Sequence, residues 1–390
     1  MNRNCEVCGS NCKERIHSQK FLMPGRRNFF SYDVVACKCC GFIFADNIPN
    51  QQAYDKYYKE NKKYSYSRNI PAGLMDIYNG IYTDAKRFLT KMCTSSIGRE
   101  KFSILDIGCS IGALLNVFKQ HGFQCLTGIE PSQYCSRLAK ELYEIDVFPG
   151  LLSEYSSDNQ FDFIMMTGVL EHVSDFEKVI PYVVEHLKNS GALMIAVPDA
   201  SKFSLKPAAP YDEFSIEHIN YFTNISLTNL MQKFGLVNIN HTSNKTTFYD
   251  SYLLISYFKK SHLSIQREKD SVGMSRIKKY IKASGDKIDR LNAEWERLIT
   301  ADTKIVVWGV GSLTYRLLAS SSLAQMKISA FVDSNTFLQG KKIRNVQIVS
   351  PDYFEHNTAE LVIVASHVYG KEIEHILKNK YHFAGNILHI

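Results

Sequence analysis

Residues 105–112 read Leu-Asp-Ile-Gly-Cys-Ser-Ile-Gly, and this stretch decides the fold class of the central part of the chain. It ends the apolar run 102–107, which predicts a buried strand, and it leads into Ala113-Leu114-Leu115, the start of a predicted helix. Glycine at positions 108 and 112 lets the backbone turn tightly and approach a ligand at the helix N-terminus. A strand, a glycine-rich turn and a helix in this order are typical of nucleotide-binding α/β domains.

Three further apolar runs, at 124–129, 161–166 and 192–197, alternate with sequence of helical character. Strands that alternate with helices predict a parallel sheet covered on both faces, which is the doubly wound α/β fold. An acidic residue, Glu130, follows the second run, 24 residues after Asp106. In nucleotide-binding domains an acid at a spacing of about 20 residues accepts hydrogen bonds from the ribose hydroxyls.

The motif Asp-x-Gly-x-Ser-x-Gly at 106–112 differs from the dinucleotide fingerprint Gly-x-Gly-x-x-Gly. It resembles the first motif of class I S-adenosylmethionine (SAM)-dependent methyltransferases, and the segment Val-Leu-Glu-His-Val at 169–173 is also common in that superfamily. The alternative is a doubly wound domain that binds another nucleotide. The resemblance implies a SAM site formed by Asp106, Gly108, Cys109, Ser110, Gly112, Glu130, Pro131, Thr167, Glu171 and His172.

Six of the ten cysteines lie in the first 40 residues, and four of them form two Cys-x-x-Cys-Gly segments at 5–9 and 37–41. Two residues between thiolates let a tight turn direct both sulfurs to one ion, and the glycine relieves steric conflict. Cys12 and Cys39 are competing ligands. The segments predict a structural zinc site with four ligands, Cys5, Cys8, Cys37 and Cys40.

The net charge of +7 lies entirely in residues 1–100, which hold 16 Lys and Arg against 9 Asp and Glu. Such a region attracts phosphate, either of a nucleotide-linked small molecule or of RNA, or it is a solvated basic surface. Five tyrosines interleaved with lysines follow between residues 54 and 66, and we expect one or two of them to face a substrate. No apolar run reaches the ~20 residues of a membrane-spanning helix and no signal peptide is recognisable, so we expect a cytoplasmic protein.

A catalytic candidate, His218, lies in the segment Glu-His-Ile-Asn-Tyr-Phe at 217–222, outside the cofactor motifs. Substrate-binding groups usually come from this part of the architecture. The adjacent Glu217 can orient the imidazole or raise its basicity. The alternative for His218 is a buried, hydrogen-bonded histidine.

Taken together, the chain resembles the sugar C-methyltransferases that act on nucleotide-linked deoxyketosugars. The resemblance rests on the two Cys-x-x-Cys-Gly segments, the Tyr-Ser-Tyr-Ser stretch at 64–67, and residues 106–112 and 217–222. It implies an N-terminal zinc-binding module, a class I SAM-dependent methyltransferase domain and a C-terminal Rossmann-like α/β domain. It also implies that His218 is the catalytic base, with Glu217 beside it. The sequence departs from the family at 170–173, where Leu-Glu-His-Val replaces the frequent Ala-His-Val.

We therefore expect a zinc-binding module with its Tyr-rich connection at 1–85, a SAM-dependent methyltransferase domain at 86–250, a helical linker at 251–302 and a C-terminal Rossmann-like domain at 303–390. The last segment opens with a strand and the turn Gly309-Val310-Gly311, but Thr314 replaces the third glycine of the NAD fingerprint. This domain either closes over the nucleotide of the substrate or serves as a scaffold or dimer surface.

The expected reaction is C-methylation of a nucleotide-linked ketosugar. His218 would remove the proton next to the ketone, and Tyr66 and Tyr221 are candidate hydrogen-bond donors to the resulting enolate. Methylation at oxygen or nitrogen of a sugar or another small metabolite is the alternative, ahead of RNA methylation and of a non-catalytic sensor. We expect no nucleic-acid or membrane partner, because no basic run persists beyond residue 100.

Overall fold

The computed structural model describes residues 2–25, 29–60, 70–92, 98–205, 209–246, 248–261, 266–300 and 302–390. The chain divides into two compact units. The first unit contains Met1–Glu14, Val35–Lys202 and Glu217–Met274, and the second contains Arg15–Val34, Phe203–Ile216 and Ser275–Ile390. These units do not coincide with the segment boundaries expected at residues 85, 250 and 302.

A four-stranded sheet follows the first cysteine pair. Its strands, in spatial order, are β1 (Lys13–Phe21), β2 (Phe30–Cys37), β3 (Ile43–Asp46) and the later two-residue strand β9 (Asn220–Tyr221). Strand β9 runs antiparallel to β3, with Tyr221 opposite Ile43. The helices α1 (Gln51–Glu60) and α2 (Ala72–Met92) come next in the chain.

The first unit is built on a seven-stranded sheet with the spatial order β10-β11-β8-β7-β4-β5-β6. Its strands are β4 (Ile104–Ile107), β5 (Leu126–Ile129), β6 (Val147–Phe148), β7 (Phe161–Thr167), β8 (Leu187–Pro198), β10 (Leu236–Thr246) and β11 (Ser251–Lys260), accompanied by the helices α3 (Ala113–Gln120), α4 (Gln133–Tyr143), α5 (Phe176–His186) and α6 (Asn224–Gln232). Strands β4 to β8 run parallel, whereas β11 is antiparallel to both β8 and β10. The predicted doubly wound α/β fold is confirmed.

The side chains of the central strands alternate between two hydrophobic clusters. In β7, Ile164 and Met166 belong to one cluster, and Phe163 and Met165 belong to the other. All four side chains are fully buried. A sheet that is covered on both faces buries successive residues of a strand, which explains the continuous apolar runs of the sequence.

One expectation about this sheet is wrong. Residues 251–260, expected to begin a helical linker, form β11, because their apolar core residues 253–258 pair with β8 and complete the sheet.

The second unit contains most of helix α7 (Ser271–Leu298) and a six-stranded sheet with the order β14-β15-β13-β12-β16-β17. The strands are β12 (Ile305–Trp308), β13 (Ile328–Val332), β14 (Lys342–Ile343), β15 (Val346–Val349), β16 (Leu361–Val364) and β17 (Asn386–His389), and the helices are α8 (Ser312–Ser320), α9 (Tyr353–His356) and α10 (Gly370–Asn379). Only β14 runs antiparallel to its neighbour in this sheet. The predicted C-terminal Rossmann-like fold is confirmed.

Among the helices that the structure describes, none combines the length and the apolar composition that a membrane crossing requires.

Two glycines of the cysteine-rich region allow a test of how tightly the first unit packs. Gly9 and Gly41 both have left-handed backbones, with φ values of +77° and +83°. A Cβ at position 41 would lie 2.4 Å from the Asp270 carbonyl oxygen, whereas nothing lies within 4 Å of one at position 9.

We predict that Gly41→Ala lowers the free energy of unfolding by roughly 3 kcal/mol or more, because backbone atoms must move apart. The control Gly9→Ala carries only the conformational cost of a positive φ, about 1–2 kcal/mol. Denaturant unfolding of both variants measures the difference. Equal losses of stability would contradict the close contact at Asp270.

Candidate active site and cysteine cluster

The glycine-rich turn lies at the carboxyl end of β4, and its backbone enters the left-handed region three times. The φ angle is +76° at Gly108, +50° at Ser110 and +75° at Gly112. Position 108 excludes a side chain, because a Cβ there would lie 2.6 Å from a methyl carbon of Val169. Helix α3 begins directly after Gly112, which has no side chain to accept from the first helical amides. Those amides are therefore available to a polar ligand group.

Glu130, at the carboxyl end of β5, holds this turn in place. Its Oε2 accepts a hydrogen bond from the Ser110 amide at 3.0 Å, and its Oε1 accepts one from the Ser132 amide at 2.9 Å. Burial raises the pKa of Glu130, although both amide donors act against this shift. One carboxylate thus joins the glycine-rich turn to the loop that follows the neighbouring strand.

Asp106 is the last residue but one of β4 and is only 2% exposed. Burial and the nearby charge of Glu130 raise the pKa of Asp106 to about 8. A cationic or hydroxyl-bearing ligand at this place would favour the ionised forms of both carboxyl groups.

The Cys109 side chain belongs to the protein core. It is part of a buried hydrophobic cluster, and its Sγ would lie 2.5 Å from a Cβ at Gly128. Burial raises the pKa of the Cys109 thiol well above its usual value. Cys109 is predicted for the SAM site, but only its backbone, and not its thiol, is part of the turn.

The end of β7 and the segment after it carry two buried oxygen atoms. Thr167 Oγ1 and Glu171 Oε2 make no hydrogen bond to the residues that the structure describes. Glu171 is 3% exposed, and burial raises its pKa to about 8. Because buried polar atoms are normally paired, these oxygens are candidates for contact with a ligand or a bound water.

The segment that carries His218 is fixed to the segment after β7 by Asn220. The Asn220 side-chain amide donates to the carbonyl oxygens of Leu170 and Val173, at 2.9 and 2.6 Å. Its Oδ1 accepts from the buried Arg3 guanidinium at 3.0 Å. These bonds explain how His218, distant in sequence, comes to lie beside the predicted cofactor residues.

His172 and His218 form a cluster with Glu171. The centroids of the two imidazole rings are 4.9 Å apart, and ligand atoms of the three residues all lie within 4.8 Å of one another. The His172 Nδ1 lies 3.0 Å from the Glu217 carbonyl oxygen.

Two tyrosines of α1 contact this cluster, and neither is among the residues that the sequence predicted individually. The Tyr58 hydroxyl lies 2.9 Å from His172 Nδ1, and the Tyr57 hydroxyl donates to Glu217 Oε1 at 2.6 Å. Both belong to the tyrosine-rich stretch, which predicts that some of its phenols face the site. The sequence does not predict which ones do, because that depends on how α1 docks on residues far away in the chain.

Three other predicted residues are placed as follows. Tyr66 lies outside the described residues. Tyr221 is 2% exposed and lies in β9, next to the segment of His218. Pro131 is half-buried and follows Glu130 directly.

The four predicted zinc ligands lie together. The Sγ atoms of Cys5 and Cys40, and those of Cys8 and Cys37, are 3.5 Å apart, and all four sulfurs lie within 4.8 Å of one another. The two turns repeat the same backbone bonds, since the amides of Gly9 and Gly41 donate to the carbonyl oxygens of Cys5 and Cys37.

The competing cysteines lie outside this cluster. Cys12 and Cys39 are both exposed, and Cys39 Sγ donates to the Ser10 hydroxyl at 3.2 Å. The structure therefore brings together four of the six N-terminal cysteines.

Two protein-family models match this chain, one in the segment of each α/β sheet. A family model described as "Methyltransferase domain" matches residues 78–241. The central segment is a class I SAM-dependent methyltransferase domain. A second family model, described as "C2185-like, N-terminal", matches residues 301–383.

Curated relatives align with parts of the methyltransferase domain. The chain is 28% identical over 100 residues to an (S)-coclaurine N-methyltransferase of Papaver somniferum, covering 24% of this chain and 28% of that protein. It is 30% identical over 107 residues to a ubiquinone biosynthesis O-methyltransferase of Rickettsia akari, covering 26% of this chain and 42% of that protein. The chain thus spans less than half the length of either relative.

Among solved structures, the magnesium protoporphyrin IX methyltransferase ChlM of Synechocystis PCC 6803, crystallised with bound SAH, aligns with a TM-score of 0.41. The two chains are 12% identical, and the alignment covers 55% of this chain and 100% of that one. The match of the methyltransferase family model to residues 78–241 confirms the predicted SAM-dependent methyltransferase at the level of its domain.

Proposed function

We propose that the protein transfers a methyl group from SAM to a carbon atom of a nucleotide-linked ketosugar. Two features support the proposal. Both lie at the edge of the sheet where the carboxyl ends of the strands are, because β4 and β7 are parallel neighbours. The glycine-rich turn follows β4, and the segment of His218 is bonded to residues directly after β7. Ligands of doubly wound sheets bind outside the carboxyl ends of such strands.

SAM, when bound, supplies an activated methyl group on a sulfonium sulfur. Each Glu130 oxygen accepts one amide and keeps a second lone pair, which suits the ribose hydroxyls. Asp106 would position the amino-acid end, directly or through water. The unpaired oxygens of Thr167 and Glu171 would complete the wall of the site, together with His172 and Pro131.

His218 would act as the general base. It takes the proton from the carbon next to the ketone, the electron pair of the broken C–H bond forms the enolate, and the enolate carbon accepts the methyl group as S-adenosylhomocysteine leaves. Glu217, held by the Tyr57 hydroxyl, would orient the imidazole. Tyr66 and Tyr221 remain the proposed donors to the enolate oxygen.

Methylation of oxygen or nitrogen in a small metabolite is the second candidate. It is favoured by the names of the curated relatives, which are O- and N-methyltransferases. The same SAM site and the same histidine would serve, because a base that removes a proton from a hydroxyl or an ammonium group also prepares a nucleophile. The position of the new methyl group in the product NMR spectrum separates the two reactions.

The cysteine cluster is proposed to hold a structural zinc ion. Four thiolates at about 2.3 Å from a tetrahedrally coordinated zinc lie roughly 3.8 Å from one another, close to the sulfur pairs of this cluster. Four protein ligands leave no open coordination position, so the ion would stabilise the fold and take no part in methyl transfer. Cys5, Cys37 and Cys40 are buried within the same hydrophobic cluster as β7 and β8, which couples this site to the methyltransferase sheet.

The base assignment predicts the behaviour of His218→Ala. Methyl transfer should fall by at least about 100-fold, since general-base catalysis contributes roughly 10²–10⁴. Binding of S-adenosylhomocysteine should be unchanged. The assay is release of S-adenosylhomocysteine with a panel of nucleotide-linked ketosugars, followed by product NMR.

The control is His241→Ala, which removes an exposed histidine from β10 of the same unit. It should retain full turnover. Full turnover of His218→Ala on an accepted substrate would show that another group removes the proton.

The zinc proposal predicts about one zinc per chain, and its loss in Cys40→Ser with a large drop in melting temperature. Cys39→Ser, one residue away and outside the cluster, should retain the metal. Elemental analysis and thermal unfolding of the two variants make the comparison. Retention of zinc by Cys40→Ser, or its loss in Cys39→Ser, would refute the ligand set.

A further inference from the structure

Glu171, His172 and His218 bring three potential metal ligands to one place in the first unit. One ligand atom of each residue lies within 4.8 Å of those of the other two. The bonds of the Asn220 side-chain amide to the segment after β7 hold His218 beside its two partners. Two imidazoles and a carboxylate are a donor set that proteins use for zinc and for other divalent transition-metal ions.

The buried carboxylate of Glu171 points independently to a cation. The residue is 3% exposed, and its Oε2 makes no hydrogen bond to the residues that the structure describes. A buried oxygen without a partner costs free energy that a bound cation offsets. A sulfonium group would satisfy this carboxylate alone, whereas a metal ion would also use the two imidazoles.

His172 also has a contact that is typical of metal-bound histidines. Its Nδ1 lies 3.0 Å from the Glu217 carbonyl oxygen and 2.9 Å from the Tyr58 hydroxyl oxygen. A histidine that binds a metal through one ring nitrogen usually donates the hydrogen of the other to a carbonyl oxygen or a similar acceptor. In a metal-bound state, His172 Nδ1 would donate to the Glu217 carbonyl, and Nε2 would bind the ion.

The spacing of the three side chains is slightly wider than a zinc ion requires. Ligand atoms about 2.1 Å from a tetrahedrally coordinated zinc lie roughly 3.4 Å from one another, so these atoms would move inward by about 1 Å. Both histidines are half-buried, and small rotations of their rings supply this movement. Three protein ligands leave a fourth position for water.

We propose that Glu171, His172 and His218 form an inhibitory site for zinc or a similar divalent transition-metal ion, separate from the cysteine cluster. The inhibition rests on the proposed function, because a His218 nitrogen that coordinates a metal ion has no lone pair left to accept a proton. Binding of the ion does not depend on that function. The metal-free site is then the active form, and the metal-bound site is the inactive one.

The binding test is calorimetric titration of zinc chloride into the full-length protein, whose zinc content has first been measured by elemental analysis. The chain carries Cys12→Ser and Cys39→Ser, because these two exposed thiols would bind added zinc. We expect one equivalent beyond the ion of the cysteine cluster. Glu171→Gln should weaken its binding by at least roughly 10–100-fold, the loss that even a substitution outside the direct ligands causes.

The control for this titration is His241→Ala, which removes an exposed histidine of β10 and should bind the added zinc as the parent protein does. The site is refuted if no further equivalent binds. It is also refuted if the parent protein and Glu171→Gln bind the added ion equally, which would mean adventitious binding at the surface only.

The inhibition is measured on a nucleotide-linked sugar that the protein methylates. Saturation with the added zinc should lower methyl transfer toward the level of His218→Ala, at least about 100-fold, and removal of that ion by a chelator should restore it. Unchanged or increased turnover at saturating zinc would overturn the inhibitory role. The two proposals fail separately: if no sugar is methylated, the proposed function fails, while the titration, which needs no methyl acceptor, still decides the metal site.

Discussion

The hydrogen bonds from the Ser110 and Ser132 amides to the Glu130 carboxylate join the ends of two neighbouring parallel strands. The amides of Gly108 and Cys109 join the same turn to the end of β5, since both donate to the Ile129 carbonyl oxygen. Glu130 adds the bond that holds Ser110, the left-handed residue in the middle of the turn. The geometry of the turn sets where α3 begins and where Gly108 meets Val169, and therefore where the segment of Glu171 and His172 lies. The proposed cofactor site is therefore built around this buried carboxylate.

The second unit contains the same arrangement of a carboxylate and a glycine-rich turn. Asp333 follows β13 as Glu130 follows β5, and its carboxylate accepts from the Val310 amide at 2.6 Å and from the Asn335 amide at 2.8 Å. In both sheets, the carboxylate that follows one strand accepts a hydrogen bond from the glycine-rich turn after the neighbouring strand. The same carboxylate also accepts one from the backbone amide two residues further along its own loop. The repetition shows that this acid has a structural role in each sheet, independent of whether a ribose is bound beside it.

The sequence predicts those parts of the site that are local. The turn at 106–112, the acid at 130 and the two cysteine pairs each follow from spacing over a few residues, and the structure places them at one sheet edge and in one cluster. Contacts between distant segments were not predictable in this way. The bonds from Asn220 to Leu170 and Val173 span about 50 residues, and the docking of Tyr57 and Tyr58 spans more than 100. Strand β11 was not predicted, although one of its partners, β10, directly precedes it in sequence and only the other, β8, lies far away.

Titration calorimetry of S-adenosylhomocysteine into wild type, Glu130→Gln and the control Glu100→Gln tests the central claim most directly. Glutamine puts an NH₂ group opposite one of the two amides, so one buried donor loses its acceptor. The account predicts one site per chain in wild type, equal affinity in the exposed control Glu100→Gln, and affinity at least about tenfold weaker in Glu130→Gln. No uptake by wild type, or equal affinity in all three proteins, would contradict it.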